Sequence, residues 1–285
     1  MEVIIESAVP YLHEGLRRFA DVEIEVGSNA DTLCHLVTGY FLYLFGGMFF
    51  YLFFASISYY YYFVLYRSYY FPGKNHLPSD EALRNQIRTE IGIALPSIPG
   101  MALLTVPFNV LAHLGYTYTY RRLDEYGYPY VVFSILMFLF FSDMTIYWIH
   151  RGLHSKALYK NVHKAHHTFR VVTPFSSHAF SALDGWSQST PYLVFPFILP
   201  IHNWTLFALY IGVNLWTVAI HDRIPYYKGS IVNSTMHHDA HHRFFFYNYG
   251  QYFSMWDKIG GSYRDPADLI ADPSIKGSIK AAANE

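Results

Sequence analysis

Residues 130–154 read YVVFSILMFLFFSDMTIYWIHRGLH, an apolar run interrupted by one acid, Asp143, that closes on two histidines four positions apart, His150 and His154. At ~1.5 Å of rise per residue, the run from Tyr130 to His150 is long enough to cross ~30 Å of hydrocarbon. Imidazoles at i and i+4 share one helix face, with side chains ~5–6 Å apart. The stretch predicts a membrane-spanning helix that delivers paired histidines at its end.

The rest of the chain extends the same pattern. Of its 285 residues 52% are hydrophobic, 20% aromatic and only 14% charged, where an ordinary soluble domain has about a quarter charged. Asp, Glu, Lys and Arg are absent from residues 32–66, 91–120 and 185–221. Leu33 to Tyr66 predicts a first span, Ile91 to Tyr116 a second, and Tyr130 to His150 the third. The fourth apolar region, Gly185 to His221, is broken by Pro196, Pro200, His202 and Asn203. In lipid that break leaves backbone groups unpaired unless the chain turns there, so two short half-spans or a re-entrant hairpin fit better than one straight helix. The expected fold class is all-α and integral to the membrane, with about four transmembrane helical units and a cytosolic helical cap carrying the histidines.

A hairpin returns the chain to the side it left. Residues 67–90, 150–184 and 222–285 then share one side and hold 16 of the 20 Lys and Arg residues, leaving Arg17, Arg18, Arg121 and Arg122 for the other. The positive-inside rule assigns the richer side to the cytosol. A net charge of −1 and a pI near 7 give no reason to expect nucleic acid. The single cysteine, Cys34, excludes an internal disulfide and a thiolate metal site. Residues 1–31 are polar and lack the basic-then-apolar layout of a secretory signal, so the first span is expected to be an uncleaved anchor.

Twelve of the sixteen histidines lie between positions 150 and 242. After His150 and His154 come His163, His166 and His167 at i, i+3, i+4, and His238, His241 and His242 repeat that spacing. On a helix each triplet can present several imidazoles to one point. Eight imidazoles exceed what one metal uses, because a structural zinc takes four ligands and a catalytic zinc three plus water. Two metals are therefore implied, and the same eight residues are the candidate catalytic set. Imidazole suits iron, zinc, copper and nickel alike. Iron is favoured because a two-metal, all-nitrogen site beside lipid has an evident use in activating O2 against unactivated C–H bonds. His221 and His178, between the triplets, are further candidate ligands. His237 points elsewhere on a helix, His202 sits at the hairpin tip, and His13, His35, His76 and His113 read as isolated side chains. Asp143 lies seven residues before His150, on its helix face, and is the candidate acceptor for the free ring N–H of a ligand. Asp222 is a second candidate for that role, and Asp184 and Asp239 could act alike or merely cap and solvate.

These residues resemble the fatty acid hydroxylase superfamily, and within it the sterol C-5 desaturases. The superfamily pattern is carried by His150-Arg151-Gly152-Leu153-His154, His163-Lys164-Ala165-His166-His167 and His238-Asp239-Ala240-His241-His242. The narrower likeness rests on Thr173 to Phe180, Asp184-Gly185, Pro191-Tyr192, Asn214 to Thr217, Ile220-His221-Asp222, Tyr247 to Gln251, Trp256-Asp257 and Gly261 to Arg264. It covers about residues 130–266. Three positions depart from the pattern: Ser181-Ala182 replace a usual His-Pro, Leu193 a common His, and Arg223 a usual Gly.

The resemblance implies a di-iron centre without haem in the endoplasmic reticulum membrane, facing the cytosol. Its electrons would come from NAD(P)H through cytochrome b5 and its reductase. It also implies removal of two hydrogens across C5 and C6 of a Δ7-sterol. No fused cytochrome b5 domain is visible, so the donor is expected to be a separate protein. The expected organisation is a polar, lumenal segment over 1–32, two spans over 33–129, a catalytic domain over 130–264 and a polar tail over 265–285. Hydroxylation at the same site, as in C-4 methylsterol oxidases, is the alternative reading. A metal transporter or a non-catalytic sterol-binding protein is the remoter one, since transport places acids and histidines inside the spans.

Overall fold

The computed structural model describes residues 2–20, 25–71, 79–169, 171–224 and 229–267. His76 and the tail beyond 267 lie outside the described residues.

Nine α-helices are found among the described residues. α1 (Glu2–Ala20) turns the polar N-terminal segment into an amphipathic helix that packs Ile5 and Val9 on Cys34. α2 (Asn29–Tyr59) begins where the Ser28 hydroxyl accepts the N–H of Asp31 at 3.2 Å, satisfying one of the first-turn donors. It runs on as a π-helical turn over Tyr60–Leu65 and a short α3 (Arg67–Tyr70). α4 (Asp80–His113) starts at the cap Ser79, with Asp80 and Glu81 against the positive end of its dipole. Its apolar half carries Pro96, Pro99 and Pro107. α5 (Gly127–Leu153) is the histidine-ended span. α6 (Ala182–Val194) and α7 (Asn203–His221) form the fourth apolar region, and α8 (Thr235–Phe244) and α9 (Met255–Ile259) finish the described chain.

The chain is a multi-pass membrane protein. Four helical segments, 29–65, 80–113, 127–153 and 203–221, are long and apolar enough to cross a bilayer. Their outer faces confirm the solvent they are built for. On α2, Val37, Phe41, Phe45, Phe49 and Phe53, each four residues from the last, are all exposed, Phe45 by 62%. Water would penalise that stripe by ~25 cal/mol per Å2 of apolar surface, whereas hydrocarbon accepts it.

The fourth region folds as the hairpin its prolines predicted, but with unequal arms. α7 alone is span-length at 19 residues, and α6 has 13 before a 3-10 turn at Phe195–Phe197. The tip is tied down by β2 (Ile201–His202), which pairs in parallel with β1 (Thr119–Tyr120) from the α4–α5 connection. The His202 Nε2 also bonds to the Arg121 carbonyl at 3.0 Å. One end of the bundle therefore holds α1, the start of α2, the end of α4 and the hairpin tip. The other collects the ends of α5 and α7, the irregular segment 154–181, α8 and α9.

Candidate metal centre

At that second end nine imidazoles meet in two groups. His150, His154, His163, His167 and His241 form one; His166, His221, His238 and His242 form the other. Within each group one ring nitrogen per residue lies within 4.8 Å of all the others. Nε2 contacts are shorter still: His163 to His167 3.0 Å, and His241 to His154 and to His167 3.2 Å each, in the first group. In the second, His238 stands 2.9 Å from His221 and 3.1 Å from His242. Ligands ~2.0–2.1 Å from one ion are ~3.0–3.4 Å from each other, so both groups have the spacing of a coordination shell. The groups adjoin, with the His167 and His242 rings 4.7 Å apart.

Each triplet is divided between the groups rather than aimed at one point. At ~100° per residue, i and i+4 stay within ~40° of each other while i+3 swings ~60° the other way. On α8 this puts His238 and His242 in the second group and His241 in the first, and the 163–167 turn makes the same division, His163 and His167 entering the first group and His166 the second. The first triplet lies on a π-helical turn (Tyr159–His163) and a 3-10 turn (His166–Thr168), the second on α8.

What orients the rings is mostly backbone. His150, His221 and His241 each turn Nδ1 to a carbonyl, those of Tyr249 at 3.0 Å, Thr217 at 2.7 Å and Tyr247 at 2.7 Å. An Nδ1–H given to a carbonyl leaves the Nε2 lone pair facing the group. The one carboxylate in this role is Asp184, whose Oδ2 takes His163 Nδ1 at 2.7 Å, both side chains fully buried. Asp143 does not play it: its Oδ1 accepts the backbone N–H groups of Tyr252 at 2.7 Å and Phe253 at 3.3 Å. This corrects the reading from helix spacing, because Asp143 points to the returning 247–254 loop, whose unpaired N–H groups outcompete a ring. Asp222 accepts the N–H of Ile224 at 2.8 Å and closes the turn after α7.

His178 stands outside both groups. Its ring lies between the Ser177 hydroxyl (3.0 Å) and Asn214 Oδ1 (3.3 Å) and lines a cavity instead. His237 is taken up by Ser234, and Asp239 faces Arg243 and Arg223. Asp257, which residue spacing did not single out, supports the centre indirectly. It accepts the N–H groups of Tyr249 and Gly250 and the Ser262 hydroxyl, each at 2.8 Å. A Cβ on Gly250 would come within 2.5 Å of the Phe253 carbonyl, so only glycine fits this loop.

Burial drives the electrostatics. Desolvation, reinforced by neighbouring rings, holds His154, His166, His167, His238 and His242 well below the usual imidazole range. His241 is pushed down to about 3 by burial, against the opposing bond to Tyr247. These six rings are thus neutral and their lone pairs are free to bind a cation. His150 Nε2 is buried with no hydrogen-bond partner, a costly state that a Lewis acid would relieve. The donor set fits two metal ions.

The same shifts set an acid limit for the metal-free fold. Unfolded histidines take up protons below about pH 6.5, whereas these six rings stay neutral to lower pH. Stability is therefore expected to be intact above that pH and to fall with acidification, by up to ~1.4 kcal/mol per pH unit for each buried ring. Thermal melts of chelator-stripped protein between pH 7.5 and pH 5 check this, a flat profile being the contrary result.

From the centre an apolar cavity of about 260 Å3 runs into the bundle between α2, α4, α5, α6 and α7. His150, His166, His221 and His238 form its inner end, and Gly47, Met101, Tyr192 and Phe207 are among its walls. The three departures noted above sit around this region. Leu193 lines the cavity. Ser181 caps α6, accepting the N–H of Asp184 at 3.2 Å and donating to the Val162 carbonyl at 2.8 Å. Arg223 holds φ +64°, the left-handed region natural to glycine, and lies beside Asp239 and over the Phe71 ring. The strain of a side chain there is ~1–2 kcal/mol.

The fatty acid hydroxylase family model matches residues 135–262, the stretch that holds every residue of both imidazole groups. Lathosterol oxidase of Homo sapiens is 47% identical over 208 residues, 71% of this chain and 70% of the human protein. Delta(7)-sterol 5(6)-desaturase of Schizosaccharomyces pombe is 46% identical over 207 residues, covering 73% and 63%. The chain belongs to the fatty acid hydroxylase family and groups there with the lathosterol oxidases and Δ7-sterol 5(6)-desaturases. Lathosterol oxidase of Rattus norvegicus, 43% identical over 71% of this chain and 70% of its own, extends the likeness. As a member of this family the chain is an oxidoreductase. No solved structure matches it.

Proposed function

We propose that the chain is a Δ7-sterol C-5 desaturase holding one iron ion in each imidazole group. The observation that carries this is that four imidazoles of a two-metal donor set, His150, His166, His221 and His238, line an apolar cavity inside the membrane bundle. Bound iron would supply, with O2, the oxidising power to remove hydrogen from an unactivated ring C–H. Two electrons leave the sterol and two come from NAD(P)H, so that O2 departs as two waters.

The protein's own part is placement and water exclusion. Apolar walls take the ring system, and Ile146 and Ile220 stand beside the imidazoles at the inner end. A sterol's 3-hydroxyl is two carbons from C5, so a group that binds it must stand close to the metals. His178 with Asn214, and Thr217 with Gln251, are polar pairs on the cavity wall. Asn214→Leu is expected to raise the apparent KM for sterol about tenfold, the effect of one lost hydrogen bond of ~1–1.5 kcal/mol, with metal content unchanged. Sterol titration alongside metal analysis checks it.

The centre is placed on the cytosolic face of the endoplasmic reticulum membrane, with residues 1–32 in the lumen. Exposed Arg151, Lys156, Lys160 and Lys164 flank it. They suit an acidic electron donor such as a separate cytochrome b5, recharged by its reductase, an encounter that weakens with salt. The deciding experiment is expression in cells lacking their own sterol C-5 desaturase, followed by mass analysis of sterols. A product two hydrogens lighter supports desaturation; a product heavier by one oxygen, or no change, overturns it.

A further inference from the structure

Across the bundle from the paired imidazole groups, where α2 begins and α4 ends, three histidines distant in sequence close on one carboxylate. The Nε2 atoms of His13, His35 and His113 stand 3.3, 3.7 and 3.5 Å from the oxygens of Asp31. They come from α1, α2 and α4. Asp31 is only 2% exposed, and its Oδ2 accepts the N–H of Gly27 at 2.9 Å. The rings of His35 and His113 stack with centroids 3.6 Å apart, and the His13 Nε2 is buried without a hydrogen-bond partner.

A plain ion pair does not account for this. One carboxylate neutralises one imidazolium, and stacked rings cannot both be charged without direct repulsion. Neutral imidazoles can each give an Nε2–H to the acid, but separations of 3.3, 3.7 and 3.5 Å exceed the usual N–H···O range and leave the buried His13 Nε2 without a hydrogen bond. A cation uses all of these rings once His35 and His113 swing out of their stack, because near-parallel rings cannot both aim a lone pair at one ion. Two ligands ~2.0–2.1 Å from a tetrahedral ion are ~3.3–3.4 Å apart, close to the separations found. Asp31, His35 and His113 can each bring a ligand atom within 4.8 Å of the others, and His13 reaches the same acid from α1. A cleft lined by Glu6 and Glu14 leads to these four residues, giving a cation an approach from solvent.

We propose that Asp31, His35 and His113, with His13 as the fourth ligand, form a separate site for a single divalent transition-metal ion, Zn2+ by preference. Three imidazoles and a carboxylate in a closed tetrahedral set suit redox-inert zinc, and oxygen-preferring Mg2+ or Ca2+ much less. The ion fastens α1 to the membrane bundle about 24 Å along α2 from Tyr51, at ~1.5 Å per residue. Tyr51 contacts Phe175 and His178 near the other centre, so the two metal positions lie at opposite ends of the fold.

The test uses the full chain in detergent, stripped with chelator, and maps histidine modification by diethyl pyrocarbonate with and without ZnCl2. At zinc ten times its Kd about 90% of sites are filled, so labelling of His13, His35 and His113 is expected to fall ~10-fold, with MgCl2 giving no protection. Equal labelling of all three with and without zinc overturns the site, and this arm needs no variant to fold. In Asp31→Asn, protection of these three is expected to vanish while metal bound per chain falls by one ion only. Full protection surviving in Asp31→Asn also overturns it.

Discussion

His163→Ala and His238→Ala are each expected to lower turnover at least ~100-fold and to strip metal from the purified protein. Removing a group that merely orients a metal ligand typically costs 10–100-fold, and removing the ligand costs more. The two positions sample the two groups: His163 is one of five nitrogens in the first and His238 one of four in the second. His163 is also the ring fixed by Asp184, so Asp184→Asn should give a milder version of the same defect. His178→Ala serves as the contrast in metal content alone: that ring sits outside both groups, so its loss should leave the metal in place and weaken only sterol binding. Metal analysis and sterol products measured on the same preparations check all four. Full metal and full turnover in His163→Ala or His238→Ala would refute the assignment.

Asp257→Ala is expected to destabilise the protein by about 3–5 kcal/mol and to weaken metal binding ~10–100-fold, although Asp257 touches no imidazole of either group. The reason is a relay through the main chain. The carboxylate satisfies the buried N–H groups of Tyr249 and Gly250 and the Ser262 hydroxyl, and each orphaned donor costs ~1–3 kcal/mol. The Tyr249 carbonyl in turn holds the His150 ring. Asp257→Asn keeps one acceptor and should fall between the two. Melting temperature and chelator-competition affinity check this, and a variant with unchanged values of both would show that the loop holds itself.

Much of this architecture was legible because lipid imposes simple rules. Runs without charge marked the spans, and prolines with a polar pair marked the hairpin tip between α6 and α7. Histidine spacing marked eight of the nine rings that converge; His221 joins them as one of two further candidates, and the other, His178, stands outside both groups. What stayed hidden depends on direction rather than spacing. Backbone carbonyls such as those of Tyr247, Tyr249 and Thr217 leave no trace in a sequence, so an acid was sought where a carbonyl serves. Asp143 shares the helix face of His150, yet its oxygen turns to the N–H groups of Tyr252 and Phe253. Asp184 reads equally as a ring acceptor or a cap from spacing alone, and the structure puts it on the His163 ring. His13, His35 and His113 seemed isolated because only the packing of α1 against α2 and α4 brings them to Asp31.

The crossed allotment of each histidine triplet carries a consequence for assembly. Two stretches of chain serve both ions, since the 163–167 turn and α8 each reach into both positions. Filling either position freezes the backbone that the other requires, so ordering entropy is lost once for both. Loading should therefore be positively cooperative, with half-filled molecules scarce at every metal concentration, and by thermodynamic reciprocity each ion should retard the escape of its neighbour.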